Sequence, residues 1–125
     1  MIHMTTLLVN NLSRTITPIK ATLADTFFSK LCGLMFQKSI DPDNGLLLSD
    51  YFESKVNSSI HMLFMNFDIC AVWINQQNQV VDVKLAKKWH LAYFPRAAAN
   101  QVLELHACRM NDFSINDQLQ MDYEK

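Results

Sequence analysis

The chain has 125 residues, the size of one domain, and we expect residues 1–125 to form a single domain. Half of the residues are hydrophobic, so the chain can bury a core of its own and disorder is disfavoured. Eleven Lys and Arg residues against twelve Asp and Glu residues give a net charge of −1, with no basic cluster. This charge balance argues against a nucleic-acid-binding protein.

Cysteine use and hydropathy predict a reduced, cytoplasmic protein. The three cysteines, Cys32, Cys70 and Cys108, are far apart and lie among apolar neighbours, which disfavours a disulfide framework. Residues 1–26 contain no apolar run of signal-peptide length. The longest apolar stretch, residues 60–74, is interrupted by polar residues and is shorter than the roughly 20 residues of a membrane-spanning helix. We therefore predict a cytoplasmic protein without a membrane span.

The first third of the chain predicts two strands and a helix. Residues 5–9 and 20–24 mix β-branched and apolar residues with polar breaks, which is typical of short strands. From Thr26 the apolar spacing becomes helical, with Thr26 placed as the N-cap and Gly33 near the last turn. The predicted buried face of this helix consists of Phe27, Leu31, Leu34 and Met35.

The clearest predicted element is a β-hairpin of residues 60–75 and 79–85. Asn78, in the connecting turn, can adopt the left-handed conformation that such turns require. Apolar residues occupy both faces of residues 69–74, which predicts a central strand covered on both sides.

The remainder of the chain predicts further short elements. Residues 102–106 and 119–121 favour strands, and residues 109–112 favour a turn or a short helical piece. Together these elements predict a mainly β (α+β) fold, an antiparallel β-sandwich or barrel-like domain with one or two short helices.

His61 is the first candidate for function, because its imidazole lies in the apolar run of residues 60–65. On a buried strand the ring needs hydrogen-bond partners, since an unpaired buried nitrogen costs roughly 1–3 kcal/mol. A core histidine bonded to a backbone carbonyl would satisfy this need without any function. If His61 instead lines a cavity, it is suited to ligand contact, because an imidazole exchanges a proton readily in neutral solution.

Four further residues complete the candidate ligand-binding set: Met65, Cys70, Trp89 and His90. Trp89 beside His90 can form the base of a ligand pocket, or it can pack over one end of the fold. Cys70 is either a small buried hydrophobe or a thiol that needs a nearby base to act as a nucleophile. A soft-metal site is disfavoured, because His61 and Met65 would stand roughly 13 Å apart on an extended strand. We predict no metal, no cofactor and no catalytic residue.

Catalytic signatures are missing from the sequence: it has no nucleophile elbow, phosphate-binding loop, zinc-protease motif or Cys-x-x-Cys pair. Asp82 and Glu104 are isolated carboxylates on predicted strands. The preferred hypothesis is therefore a non-catalytic module that binds an unidentified small molecule or protein partner.

We expect the pocket of this module to be lined by His61, Met65 and Trp89. The alternative is an enzyme in which His61 acts as acid or base with Cys70 or His90, which requires two of these side chains within hydrogen-bond reach. A third hypothesis is a structural protein that associates through a sheet edge.

Several short motifs, in their order and spacing, resemble the family known as domain of unknown function 192. Residues 24–35 end in Gly-Leu-Met, as the helix of that family does, and residues 45–48 resemble its next strand. Residues 60–69 are similar to a branch with Ile-His followed by Met, Phe and Ile. Residues 72–81 resemble its hairpin, and residues 102–107 resemble its Val-Leu-Glu-Leu strand. The resemblance implies a compact, largely β fold of sandwich type and no established activity.

The chain departs from the family pattern at five positions where relatives carry a charged residue or proline: Gln37, Asn66, Asp68, Cys70 and His90. If those groups form a polar pocket in relatives, the pocket of this chain is less charged or displaced. The resemblance therefore extends a candidate site only to His61, Met65 and Trp89.

Overall fold

The computed structural model describes residues 5–124 as seven strands and two short helices. In chain order the elements are β1 (Thr6–Asn11), β2 (Ile19–Ala24), α1 (Phe27–Cys32), β3 (Asn44–Ser54), β4 (Ile69–Ile74), β5 (Val80–Ala86), β6 (Ala99–His106), a 3-10 helix (Ala107–Asp112) and β7 (Leu119–Tyr123). Residues 1–4, the start of the segment assessed for a signal sequence, and residue 125 lie outside the described residues.

All seven strands are hydrogen-bonded into one sheet of order β5-β4-β6-β3-β2-β1-β7. Strands β2 and β3 are parallel, and every other neighbouring pair is antiparallel. The predicted mainly β fold with one or two short helices is confirmed. The predicted two-sheet sandwich is not confirmed. The sheet is also not a closed barrel, because its edge strands β5 and β7 do not pair with each other; within residues 5–124 the residues beside them share only an isolated bridge, between Gln79 and Gln118.

The two predicted N-terminal strands are confirmed, and they set up the position of α1. Strands β1 and β2 pair as antiparallel neighbours, with Val9 opposite Ile19. Strand β2 then pairs with β3 in parallel, which requires a crossover because a tight turn cannot join parallel neighbours. Helix α1 lies in this crossover, on one face of the sheet.

Strand β4 is the buried centre of the sheet, as the sequence predicted. It lies between β5 and β6, and all six of its residues are buried. The turn that follows it has Asn78 at a φ of 59°, the predicted left-handed conformation. Alternate side chains of β4 enter two apolar clusters, Cys70, Val72 and Ile74 in the first cluster and Ile69, Ala71 and Trp73 in the second.

The second cluster is covered by residues from outside the strands. Leu34, Met62 and Met65 are buried against it. The indole nitrogen Nε1 of Trp73 donates a hydrogen bond of 2.7 Å to the carbonyl of Ser58, which fixes the chain before His61 against the sheet. This covering layer forms part of the candidate site described below.

The predicted strand over residues 60–75 is wrong in its first half, because the strand begins only at Ile69. The preceding residues form a loop whose backbone bonds to a second loop rather than to a strand. The Met62 N–H donates to the His90 carbonyl at 3.0 Å, and the Met62 carbonyl accepts from the Trp89 N–H at 2.7 Å. The apolar composition of residues 60–68 therefore indicated burial but not an extended strand.

Helix α1 begins at its predicted N-cap, yet it does not bury the predicted face. Thr26 and Ser29 form a reciprocal capping box. The face was predicted to consist of Phe27, Leu31, Leu34 and Met35. Leu34 alone is buried, and Phe27 is 81% exposed. The helix ends at Cys32, too early for a helical repeat to form one packed face. Within residues 5–124, no helix has the length and apolarity needed to cross a membrane.

Gly45 tests the close packing between β3 and β6. A Cβ at this position would lie 2.7 Å from Leu105 Cδ2 and 3.2 Å from both the Glu104 carbonyl oxygen and Ile19 Cγ2. We expect Gly45→Ala to lower the free energy of unfolding by about 1–3 kcal/mol, because overpacking displaces neighbours. Urea unfolding followed by tryptophan fluorescence measures this change, and an unchanged midpoint would contradict the packing.

Candidate functional site

A cleft of about 430 Å³ opens between the C-terminal end of α1, residues 57–61 and the face of the sheet formed by β3 and β6. Its apolar wall includes Leu34, Leu48, Ile60, Met65 and Val102. Its polar groups include Lys30, Asp50, His61, Asn100 and Glu104. Apolar walls with a few convergent polar groups are typical of small-molecule sites.

Glu104 is the central polar group of the cleft. It lies on β6, opposite Leu46 of β3 and Ala71 of β4, and is 4% exposed. Burial raises the pKa of its carboxyl group from 4.5 to about 7, because the charged form is poorly solvated there. No side-chain hydrogen bond joins this carboxyl to another group of residues 5–124. The carboxyl therefore faces the cleft as an unpaired acid that can hold or lose its proton near neutral pH.

Gly33 lets the end of α1 pass close above this carboxyl. The residue has a φ of 49°, a left-handed conformation that favours glycine. A Cβ at Gly33 would lie 3.1 Å from Glu104 Oε1. The backbone after α1 consequently forms a roof over Glu104 that a larger residue would push away.

Two further polar features line the cleft. The side-chain oxygen Oδ1 of Asn100 is buried without a hydrogen-bond partner, while its Nδ2 donates to the Asp50 carbonyl at 3.4 Å. The Lys30 ammonium forms an ion pair with the Asp50 carboxylate at the side of the cleft. Because Asn100 Oδ1 has almost no exposed surface, the carboxyl of Glu104 remains an unpaired group that a ligand in the cleft can reach.

His61 connects the loop before β4 to the end of α1. Its Nδ1 accepts a hydrogen bond of 3.2 Å from the Leu63 N–H, so the proton of the neutral ring lies on Nε2. Nε2 then donates to the Leu31 carbonyl at 2.7 Å. The two alternatives for His61, a ring bonded to a backbone carbonyl and a ring that lines a cavity, are therefore both true of this residue.

The structure brings only two of the five sequence-derived candidates to the cleft. His61 and Met65 line it. Cys70 lies on the opposite face of the sheet, in the first cluster, where burial raises the pKa of its thiol to about 12, with the nearby Asp112 adding to the rise. Trp89 and His90 lie in the loop after β5, outside the cleft lining.

Trp89 belongs to a separate exposed aromatic cluster formed by Phe36, Phe64 and Trp89. The Phe64 ring centroid is 5.2 Å from those of both Phe36 and Trp89. All three residues have positive φ, between 61° and 67°, which is unusual for bulky side chains. His90 instead stacks on Tyr93, with ring centroids 4.4 Å apart. Trp89 and His90, although adjacent in sequence, thus contact different aromatic partners.

The acid–base arrangement required by the enzyme alternative is not formed within residues 5–124. No hydrogen bond joins any two of His61, Cys70 and His90. Both ring nitrogens of His61 are hydrogen-bonded to backbone groups, Nε2 to the Leu31 carbonyl and Nδ1 to the Leu63 N–H. In the same range, no group of three His, Cys, Asp or Glu side chains is placed to hold a metal ion.

Sequence analysis missed the residues that give the cleft its polarity. It treated Glu104 as an isolated carboxylate and did not consider Asn100. A signal was available on β6, because its alternation places Val102 and Glu104 on one face and Leu103 and Leu105 on the other. A carboxylate on a strand covered on both faces marks a buried acid.

The raised pKa of Glu104 predicts how stability depends on pH. Between pH 4.5 and about 7 the folded protein keeps a proton that the unfolded chain loses. The free energy of unfolding should therefore fall across this interval, by up to about 3 kcal/mol. Glu104→Gln should abolish this fall and be more stable than the unchanged protein at higher pH.

Chemical denaturation at a series of pH values measures this effect. Glu53→Gln is the matched control, since Glu53 is an exposed carboxylate outside the cleft lining. Identical pH profiles for Glu104→Gln and the unchanged protein would contradict the buried acid.

Comparison with known proteins gives both a family and a fold. The model of the DUF192 family, described as Uncharacterized ACR, matches residues 8–122. The UPF0127 protein TK1120 of Thermococcus kodakarensis is 42% identical over 85 residues, which cover 68% of this chain and 52% of that protein. This chain thus spans about half the length of that relative.

Two crystal structures share the fold at low sequence identity. A protein of Sinorhizobium meliloti 1021, described as a proposed transcription regulator, matches with a TM-score of 0.82 and 18% identity over 95% of this chain and 94% of that one. A protein of unknown function from Novosphingobium aromaticivorans matches with a TM-score of 0.77 and 15% identity over 94% and 84%. These similarities concern the fold alone, whereas the family match covers nearly all of the sequence. The chain belongs to the DUF192 family.

Proposed function

We propose that this protein is a non-catalytic binding module whose cleft beside α1 takes a small ligand. The observation that carries the proposal is Glu104, a buried carboxyl that faces the cleft without a partner among residues 5–124. Acids with perturbed pKa values in clefts are typical of functional sites. A ligand that donates hydrogen bonds to Glu104 would supply the partner that the described side chains do not.

The size and lining of the cleft support a small molecule. Its volume of about 430 Å³ falls within the roughly 300–1,000 Å³ of small-molecule sites. Leu34, Leu48 and Met65 supply an apolar wall next to the polar groups. A ligand with an apolar body and one polar end would match this division.

The hydrogen bonding of the cleft supports binding rather than acid–base catalysis. Concerted acid–base catalysis with Glu104 would need a second proton donor or acceptor within hydrogen-bond reach of the substrate. His61 is engaged by backbone groups on both nitrogens, and Lys30 is paired with Asp50. Glu104 is thus left to orient a bound group without a relay partner.

We also propose that the module acts in the cytoplasm on a small molecule rather than on nucleic acid. Cys32, Cys70 and Cys108 are free thiols, which suits a reducing compartment. A protein with a net charge of −1 has no overall positive charge to attract the phosphate backbone of a nucleic acid.

A fragment titration followed by amide NMR tests the binding function. Neutral, cationic and anionic fragments are added to the ¹⁵N-labelled full chain. We expect at least one class to shift the amides of residues that line the cleft. Shifts confined to other surfaces, or no shift with any class, would overturn the proposal.

A cleft-filling variant and a matched control sharpen this test. Ala92 lines the cleft and Ala98 is exposed outside it, so Ala92→Trp fills the cleft while Ala98→Trp adds the same indole elsewhere. We expect Ala92→Trp to weaken fragment binding at least tenfold and Ala98→Trp to leave it unchanged. Equal binding by both variants would place the ligand outside the cleft.

A further inference from the structure

We propose that the ligand of this cleft is a small organic cation, with a primary ammonium or guanidinium head held by Glu104 and an apolar body against Leu34 and Met65. This inference rests on the proposed binding function and names the ligand class.

The unpaired polar group that a ligand can reach is the carboxyl of Glu104. It lines the cleft, it receives no hydrogen bond from another side chain within residues 5–124, and its ionised form accepts hydrogen bonds at both oxygens. An ammonium head offers three N–H donors and a guanidinium head offers five. A head group of this kind can donate to both oxygens of the Glu104 carboxylate at once, which a hydroxyl with its single donor cannot do.

The charge of the cleft is complementary to a single positive charge. Four other titratable side chains line it: Lys30 and Cys32 from α1, Asp50 from β3, and His61 from the loop before β4. Lys30 and Asp50 neutralise each other, and the Nε2 proton of the neutral His61 ring goes to Leu31. Ionised Glu104 is consequently left without a counterion from these residues.

The apolar wall selects the body of the ligand. Leu34 and Met65 are buried side chains of the second cluster that also line the cleft. Phe27 at the rim is largely exposed and adds aromatic surface to the entrance. A fully hydrated inorganic cation would leave this apolar wall unused, whereas an aromatic or aliphatic amine would cover it.

Proton exchange at Glu104 gives the proposal a pH signature. A cationic head requires the ionised carboxylate, and the carboxyl is half protonated near pH 7. Affinity for an amine should therefore rise about tenfold between pH 6 and pH 8, while the amine itself stays charged. A ligand that accepts a hydrogen bond from protonated Glu104 would show the opposite trend.

Calorimetric titration of the full chain with benzylamine, benzyl alcohol and benzoate tests the proposal. These probes share a ring and differ in the charge of the head group. We expect benzylamine to bind most tightly, with an affinity about tenfold higher at pH 8 than at pH 6. At pH 7, binding should release about half a proton, measured by comparing buffers of different ionisation enthalpy.

Two variants test whether the pH dependence of benzylamine binding arises from Glu104. Glu104→Gln should weaken benzylamine binding at least tenfold and remove its pH dependence, and Glu53→Gln should change neither. Ala92→Trp gives an independent test of the location should Glu104→Gln fail to fold.

The outcomes separate the two proposals. Tighter binding of benzoate or benzyl alcohol in the cleft, or benzylamine binding independent of pH and of Glu104, overturns the cationic ligand and leaves the binding module in place. Binding of any probe that Ala92→Trp does not weaken overturns both.

Discussion

The buried carboxyl of Glu104 is the constraint on which the cleft side of the molecule depends. Strand β6 holds it between β3 and β4, and the backbone at Gly33 passes over it. Water has little access there, so the acid keeps its proton up to about pH 7. The packing that stabilises the centre of the sheet therefore also raises the pKa of this carboxyl.

The topology of the sheet explains why a cleft forms at this place. Parallel pairing of β2 and β3 requires a crossover, and α1 is the short helix within it. With six residues the helix is too short to cover the face of the sheet, and it leaves a gap beside β3 and β6. Trp73 and His61 hold the opposite wall through their bonds to Ser58 and Leu31. The cleft is thus bounded by contacts that fix its shape.

The candidate residues found from the sequence separate in space for simple geometric reasons. Cys70 follows Ile69 on a strand, and successive strand residues point to opposite faces, so Cys70 enters the first cluster. Trp89 and His90 lie on a loop that is bonded to the Met62 backbone, and their rings contact Phe64 and Tyr93 instead. Met65 reaches the cleft because the chain before β4 folds over the sheet as a loop.

Local pattern in the sequence determined the mainly β class, the central strand β4, the turn at Asn78, the N-cap at Thr26 and the family. These features follow from alternation, turn chemistry and motif order, which short stretches of chain express by themselves. Only the tertiary structure decided that residues 61–68 form a loop and that Glu104 lies under Gly33. Each of these outcomes arises from contacts between segments far apart in the chain. Periodicity within one segment cannot report which distant backbone will exclude water from a side chain.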